Sequence, residues 1–136
     1  MKRRLAREIA LQTLFQLEFS DITAKEAKQA VFLEREMVED PDQLDYADTL
    51  IKGCTENKTA IDDFIKEYAT NWRIDRIDVI DRNILRIAIF ELKFTEHPLA
   101  NNIIINEAVE ISKLYAGDNS SKFINGILGK LKNVTK

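Results

Sequence analysis

Apolar residues in this chain recur three and four positions apart over long stretches, with charged residues between them. That is the helical period, and no stretch alternates as a half-buried strand does. The stretch from Asp78 to Phe94 stands out. With Ile80 at zero and a turn of about 100° per residue, Ile84, Leu85, Ile87, Ala88, Phe90, Leu92 and Phe94 cover most of the circumference. A helix apolar nearly all round is buried in a bundle. Its cations Arg82, Arg86 and Lys93 fall within roughly 40° of each other. The pattern therefore predicts a central helix that is buried except for one basic strip. Glu91 lies inside the apolar arc and needs a hydrogen-bonding partner if it is buried.

Further helices are expected on either side of it. Leu5, Ile9, Leu11, Leu14, Phe15 and Leu17 place one over residues 3–18. Thr23-Ala-Lys-Glu26 has capping-box spacing and opens a second, to about Glu36, with Ala27, Ala30, Val31 and Leu33 or Phe32 inward. Asp40-Pro41 gives an N-cap followed by proline at the first helical position. From there Leu44, Ala47, Ile51, Cys54, Ile61, Ile65 and Tyr68 predict one long helix over about 42–69, with Lys58 its only polar stripe member. Gly53 weakens that helix and lets a neighbour approach, and Cys54 reads as a small core residue. Asn71-Trp72-Arg73 breaks the pattern. Asp75, Asp78 and Asp81 follow at intervals of three and read as helix-start caps and partners of Arg82; no further ligands complete a metal set. Thr95–Leu99, with Pro98, is a connection. Asn101 or Asn102 caps a helix to about Tyr115, with Ile104, Ala108 and Ile111 inward. Gly117 stops it, and Asp118-Asn119-Ser120-Ser121 caps a last helix, Lys122 to about Asn133, with Ile124, Ile127, Leu128 and Leu131 inward. Gly126 and Gly129 give that helix a small-residue face suited to tight packing. The fold class is all-α, with two helical sub-bundles sharing the central helix.

Composition adds limits. A chain of 136 residues, 45% hydrophobic and 32% charged, suits one soluble domain. Cys54 is the only cysteine, so a reducing compartment is expected. Arg7 and Glu8 interrupt any signal-like segment behind Met1-Lys2-Arg3-Arg4, and no apolar run approaches a membrane span. A cytoplasmic protein is expected. The net charge is −3, but Lys2, Arg3, Arg4 and Arg7 make the start basic, and five lysines from Lys113 to Lys136 lean the end the same way. Acid gathers in Glu34–Asp48. Two readings stand: a basic face on an acidic body, or ordinary scatter of surface charge. Arg3, Arg4 and Arg7 also crowd a helix N-terminus, which prefers acids. They are either offered to phosphates or merely solvated.

No catalytic constellation emerges. His97, the only histidine, precedes Pro98 with no nucleophile nearby, and there is no phosphate-cradling glycine loop, zinc ligand set or nucleophile elbow. A non-enzyme without metal or cofactor is expected. The segment from Tyr115 to Gly126 is more informative, joining two aromatics, Lys122 and a helix N-terminus rich in hydroxyls and amides. Such an end attracts phosphate, and rings beside it stack unpaired bases. Equally, Tyr115 lies on the apolar arc of its helix and Phe123 precedes Ile127 by four, as core residues would.

Ile84-Leu-Arg-Ile-Ala-Ile-Phe-Glu-Leu92, Ile105-Asn-Glu-Ala-Val-Glu-Ile-Ser-Lys113 and Lys122-Phe-Ile-Asn-Gly-Ile-Leu128 resemble the signature segments of the NusB family of bacterial transcription antitermination factors. The opening Arg3-Arg-Leu-Ala-Arg-Glu8 matches as well, although Leu5 interrupts the longer arginine run common in the family. The resemblance covers essentially the whole chain and is best over residues 77–128. It implies a single non-catalytic RNA-binding domain over 1–136, with about seven helices in sub-bundles of about 1–70 and 71–136. It implies binding of single-stranded boxA RNA, as a heterodimer with the ribosomal protein NusE, to help RNA polymerase read through terminators in ribosomal RNA operons. Carried over residue by residue, the RNA contacts are Arg3, Arg4, Arg7, Arg82, Arg86, Tyr115, Asn119, Lys122 and Phe123, with Asp81 on the NusE-facing surface. Some members self-associate in a way that hides the RNA surface. The alternative is therefore a helical interaction module or homodimer without specific RNA binding. The domain also resembles the front of some ribosomal RNA cytosine methyltransferases; with the chain ending at Lys136, a free-standing factor is expected.

Overall fold

Asp78 accepts a hydrogen bond from the Ile80 N–H at 2.9 Å and so opens the central helix, as a carboxylate at an N-cap does. The computed structural model describes residues 3–19, 23, 26–27, 31, 41–69, 73–95 and 101–132. Among these residues the α-helices are α1 (Arg4–Phe19), α2 (Pro41–Glu56), α3 (Lys58–Tyr68), α4 (Val79–Lys93), α5 (Asn101–Tyr115) and α6 (Asp118–Lys132), with a 3-10 turn at Ile74–Arg76 and no strand. The fold is all-α. The central helix α4 packs against each of the other five, which its nearly continuous apolar surface requires. α1 lies along α2, and α5 along α6. Leu85, Ile89, Ile61, Ile65, Ile104, Ile124 and Leu128 are fully buried in the shared core.

Local chemistry explains where the boundaries fall. Thr23 and Glu26 form the reciprocal capping box, with the Glu26 N–H donating to Thr23 Oγ1 at 3.1 Å and the Thr23 N–H to Glu26 Oε1 at 3.1 Å. Ala27 and Val31 are helical and buried, as expected. The rest of that expected helix, Asp40, Asn71, Trp72 and residues 96–100 with His97 lie outside the described residues. The long helix expected over 42–69 is instead two, α2 and α3, parted at Asn57. There the side-chain amide and the backbone N–H both donate to the Gly53 carbonyl, at 2.9 and 3.0 Å. A short amide that competes for the helix's own acceptors ends it. Lys58 is exposed at the start of α3. Gly53 is required: a Cβ there would meet the Phe90 ring at 2.1 Å. Cys54 is a buried core thiol that burial pushes up to about 12.

One further expectation fails, and another holds only in its helix-cap half. Gly126 and Gly129 form no packing face among the described residues, where a Cβ at either would meet nothing within 4 Å. Asp75, Asp78 and Asp81 do not serve Arg82. Asp75 pairs with Arg73, Asp78 caps α4, and Asp81 accepts from Ser120.

Candidate nucleic-acid interface

Arg4 and Arg7 share one face of α1, and both are answered by carboxylates from other helices. Arg7 Nε and Nη2 each reach Glu91 at 2.7 Å, in a bidentate pair whose side chains are 2% and 1% exposed. Burial works to strip Arg7 of its proton, but the Glu91 carboxylate outweighs it and holds the guanidinium charged. Tyr46 on α2 donates its hydroxyl to Glu91 Oε2 at 2.7 Å, so the acid flagged inside the apolar arc is well supplied with donors. Arg4 grips Glu107 on α5 through Nε at 3.0 Å and Nη2 at 2.7 Å, and Arg7 Nη1 stands 3.7 Å from the same carboxylate. Two guanidiniums meet two carboxylates, so this cluster carries no net charge. Arg3, half-buried, lies over the Tyr46 ring instead.

The basic strip expected on the central helix is not solvent-facing. Arg86 is buried, donating from Nε and Nη2 to Asp62 at 2.8 and 3.0 Å and from Nη1 to Glu18 at 3.1 Å and Asn83 at 3.0 Å. Arg82 donates to the Ile74 and Ile77 carbonyls and pairs with Glu18, its side chain only 14% exposed. Burial tends to raise the Glu18 carboxyl, yet the hydrogen bonds from Arg82 and Arg86 hold it below the usual range. Here again two guanidiniums meet two acids. Arg7 and Arg86 are thus struts of the fold, and neither presents its donors to solvent. A buried charge demands a partner, and Glu18 and Asp62 from other helices close the strip that the helical positions left open.

The corner between α5 and α6 is built differently. Gly117 takes φ +112°, and its N–H returns to the Ser112 carbonyl at 2.9 Å, closing α5. The Ser112 and Ser121 hydroxyls meet at 2.8 Å beneath the turn. Tyr115 and Phe123 are half-buried against the core, so each is both packing and rim. Tyr115 donates its hydroxyl to Glu8 on α1 at 2.7 Å and ties the corner to the arginine-bearing helix. Asn119 and Lys122 are exposed. Asn119, Ser120 and Phe123 line a pocket of about 320 Å³ with Arg76, Ile77, Asp78 and Asp81. Asp81 accepts from Ser120 Oγ at 3.1 Å, while its buried Oδ1 meets no donor among the described residues. Burial pushes its carboxyl above the usual range; the Ser120 bond opposes that and Asp78 adds to it.

The structure therefore joins Tyr115, Asn119, Lys122 and Phe123 at one corner, with Asp81 across the pocket, and turns most of the arginine set inward. Sequence reasoning missed the residues that neutralise it: Glu18, Asp62 and Glu107, along with Tyr46. A signal existed, because Glu107 stands beside Ala108 on the inward stripe of α5 and Glu18 four positions after Leu14. An acid on an apolar stripe marks a buried cation elsewhere. Among the described residues no His, Cys, Asp or Glu group could hold a metal, and no helix is long and apolar enough to cross a membrane.

A family model described as the NusB family matches residues 4–133. The transcription antitermination protein NusB of Bdellovibrio bacteriovorus is 45% identical over 129 residues, covering 95% of this chain and 93% of that protein. Its counterpart in Bacillus cereus strain B4264 is 41% identical over 133 residues, 98% of each chain. A T. maritima NusB structure superposes with a TM-score of 0.81 at 36% identity, covering 96% of this chain and 89% of that one. The NusB chain type is also met in a crystal structure of antitermination factors NusB and NusE in complex with dsRNA. A chain of that complex superposes with a TM-score of 0.86 at 26% identity, covering 96% and 95%.

Proposed function

The chain belongs to the NusB family, and on that premise we propose that it is a non-catalytic transcription antitermination factor. It binds boxA-type single-stranded RNA as a heterodimer with NusE and supports read-through by RNA polymerase in ribosomal RNA operons. The observation that carries this reading is the match along nearly the whole chain to antitermination proteins, one likened chain standing in a complex with NusE and RNA. The RNA path in this reading runs over the α5–α6 corner. Lys122 and the rim arginines Arg3 and Arg4 meet phosphates there, Tyr115 and Phe123 offer ring edges to bases, and Asn119 supplies a hydrogen bond. Arg7, Arg82 and Arg86 act from beneath by fixing α1 and α4. The NusE-facing surface includes Asp81 and its pocket.

The test is anisotropy of a labelled boxA-type RNA against a shuffled RNA, over a salt series, with and without NusE. Each phosphate neutralised contributes about −0.7 to the log–log salt slope for a single strand. Preference for boxA that strengthens with NusE is expected. The neutrality of both arginine clusters favours a second reading, a helical interaction module or homodimer without specific RNA binding. Equal weak binding to both RNAs, with a dimer in sedimentation, would favour that rival.

A further inference from the structure

Arg4 grips Glu107 through Nε at 3.0 Å and Nη2 at 2.7 Å, so one edge of its guanidinium is fixed against the carboxylate. The two members differ in exposure: the Arg4 side chain is 35% exposed and that of Glu107 only 8%. The cation is therefore the half of the pair that reaches solvent. Arg7 is not comparable, because Glu91 holds it in full burial. Glu107 lies on α5 about two turns before Tyr115, whose hydroxyl reaches Glu8 on α1. Glu8 in turn stands close enough to Arg4 to favour its charge. The pair thus shares the α1–α5 seam with Tyr115. A phosphate offers an arginine the same target as a carboxylate, two anionic oxygens for one guanidinium edge. Only one of them can occupy that edge. The bond from Arg4 also holds the Glu107 carboxyl below the usual range, so the acid is charged at neutral pH.

We propose that Glu107 sets the affinity for RNA by competing with a backbone phosphate for the Nε–Nη2 edge of Arg4. Binding there exchanges one anion for another, so the carboxylate subtracts from what the phosphate gains. Removing its charge should then tighten RNA binding and loosen the fold together, two effects of opposite sign from one substitution. The inference rests on the RNA-binding reading above and gives a role in binding to an acid on α5, outside the set of expected contacts.

Four variants test it in the same RNA titration: Glu107→Gln, Arg4→Ala, the two together, and Asp63→Asn. Glu107→Gln keeps an oxygen acceptor and loses the charge, so it should melt lower. It should nevertheless bind boxA-type RNA about two- to fivefold more tightly at low salt, the range of one partly exposed charge pair. Its log–log salt slope should steepen by up to about 0.7, the share of one phosphate. A merely structural acid would lower affinity along with the melt. Arg4→Ala should weaken binding, and Glu107→Gln should add little on that background. Asp63, exposed on α3 and outside the cluster, gives the same change in net charge and should leave affinity nearly unchanged. Glu107→Gln binding no more tightly than the unaltered protein, gaining as much without Arg4, or gaining no more than Asp63→Asn would overturn the competition. NMR of the unaltered protein gives a readout that needs no variant to fold. The Glu107 carboxyl carbon resonance should move as RNA is added, and a resonance unmoved at saturating RNA overturns the competition outright. An unaltered protein that does not bind boxA-type RNA overturns the antitermination reading instead, and the role of Glu107 with it.

Discussion

The first turns of α1 and the corner between α5 and α6 both pointed to phosphate in the sequence, yet they are built in opposite ways. At α1 the cations are answered from far along the chain: Arg7 and Glu91 are 84 positions apart, and Arg4 and Glu107 are 103 apart. At the corner the turn itself is closed locally, by Ser112 and Ser121 nine positions apart, while Tyr115 and Ser120 reach out to Glu8 and Asp81. Long-range pairs bind helices together. Local pairs leave the outer surface of the turn to Asn119 and Lys122. The difference teaches that cationic residues on a helix say little about cationic surface until their acids are found. In this chain charge near α1 is mostly architecture, and the corner is mostly surface.

The largest expected effect tests that contrast directly. Glu91→Ala leaves the buried Arg7 without its bidentate partner, only Glu107 standing 3.7 Å away, and should cost about 3 kcal/mol in urea unfolding. Arg4→Ala breaks a pair whose arginine is 35% exposed and leaves the 8%-exposed Glu107 with Arg7 at 3.7 Å, so the loss should be smaller, about 1 kcal/mol. If the two cost the same, the buried pair is no strut and the division between architecture and surface collapses. Its loss also bears on binding, because α1 carries the rim arginines.

Three glycines around the corner sharpen the other side. Gly117→Ala forces a side chain into φ +112° and should cost about 1–2 kcal/mol. Gly126→Ala, in the open face of α6, should instead gain up to about 1 kcal/mol, because a helical alanine loses less backbone entropy. Gly129→Ala should behave as Gly126→Ala does. Thermal melts of the three variants decide this. A stable Gly117→Ala protein would mean the turn relaxes easily and does not fix the spacing of Tyr115 and Phe123.

Much of the fold was legible. The period of Ile84, Ile87, Ala88 and Glu91 identified a buried central helix, and Glu91's position inside the apolar arc announced a buried partner. What a helical wheel cannot carry is pairing across distant elements, so Arg86 looked like part of a window although Glu18 and Asp62 close it. The break at Asn57 was hidden for a related reason: one amide's hydrogen bond to Gly53 interrupts a stripe that continues on both sides. At the site, Asn119 and Lys122 fell on the surface of a helix start, where residue type and position agree. Tyr115 and Phe123 stayed ambiguous in sequence because they are rim and core together.

The smallest effect separates the two regions by pH. The hydrogen bond from Arg4 holds the Glu107 carboxyl below the usual range. Its contribution to stability is present above the unfolded-state pKa and is lost as pH falls through the folded one. Asp81 runs the other way: burial raises its carboxyl, so its charge weakens the fold at neutral pH and protonation relieves that. Glu107→Gln should therefore be less stable than the unaltered protein at pH 7, and Asp81→Asn slightly more stable. The Asp81 difference should close as pH falls toward about 4, where ordinary carboxylates protonate, and the Glu107 difference should close only below that. Urea midpoints between pH 7 and pH 3 measure this. Asp81→Asn should also weaken NusE binding if the carboxylate is kept for a partner, since a group that costs stability in the free protein needs a function to retain it. An Asp81→Asn protein that is less stable at pH 7 would show that the Ser120 bond already satisfies the carboxylate, and that the pocket holds no strain for a partner to relieve.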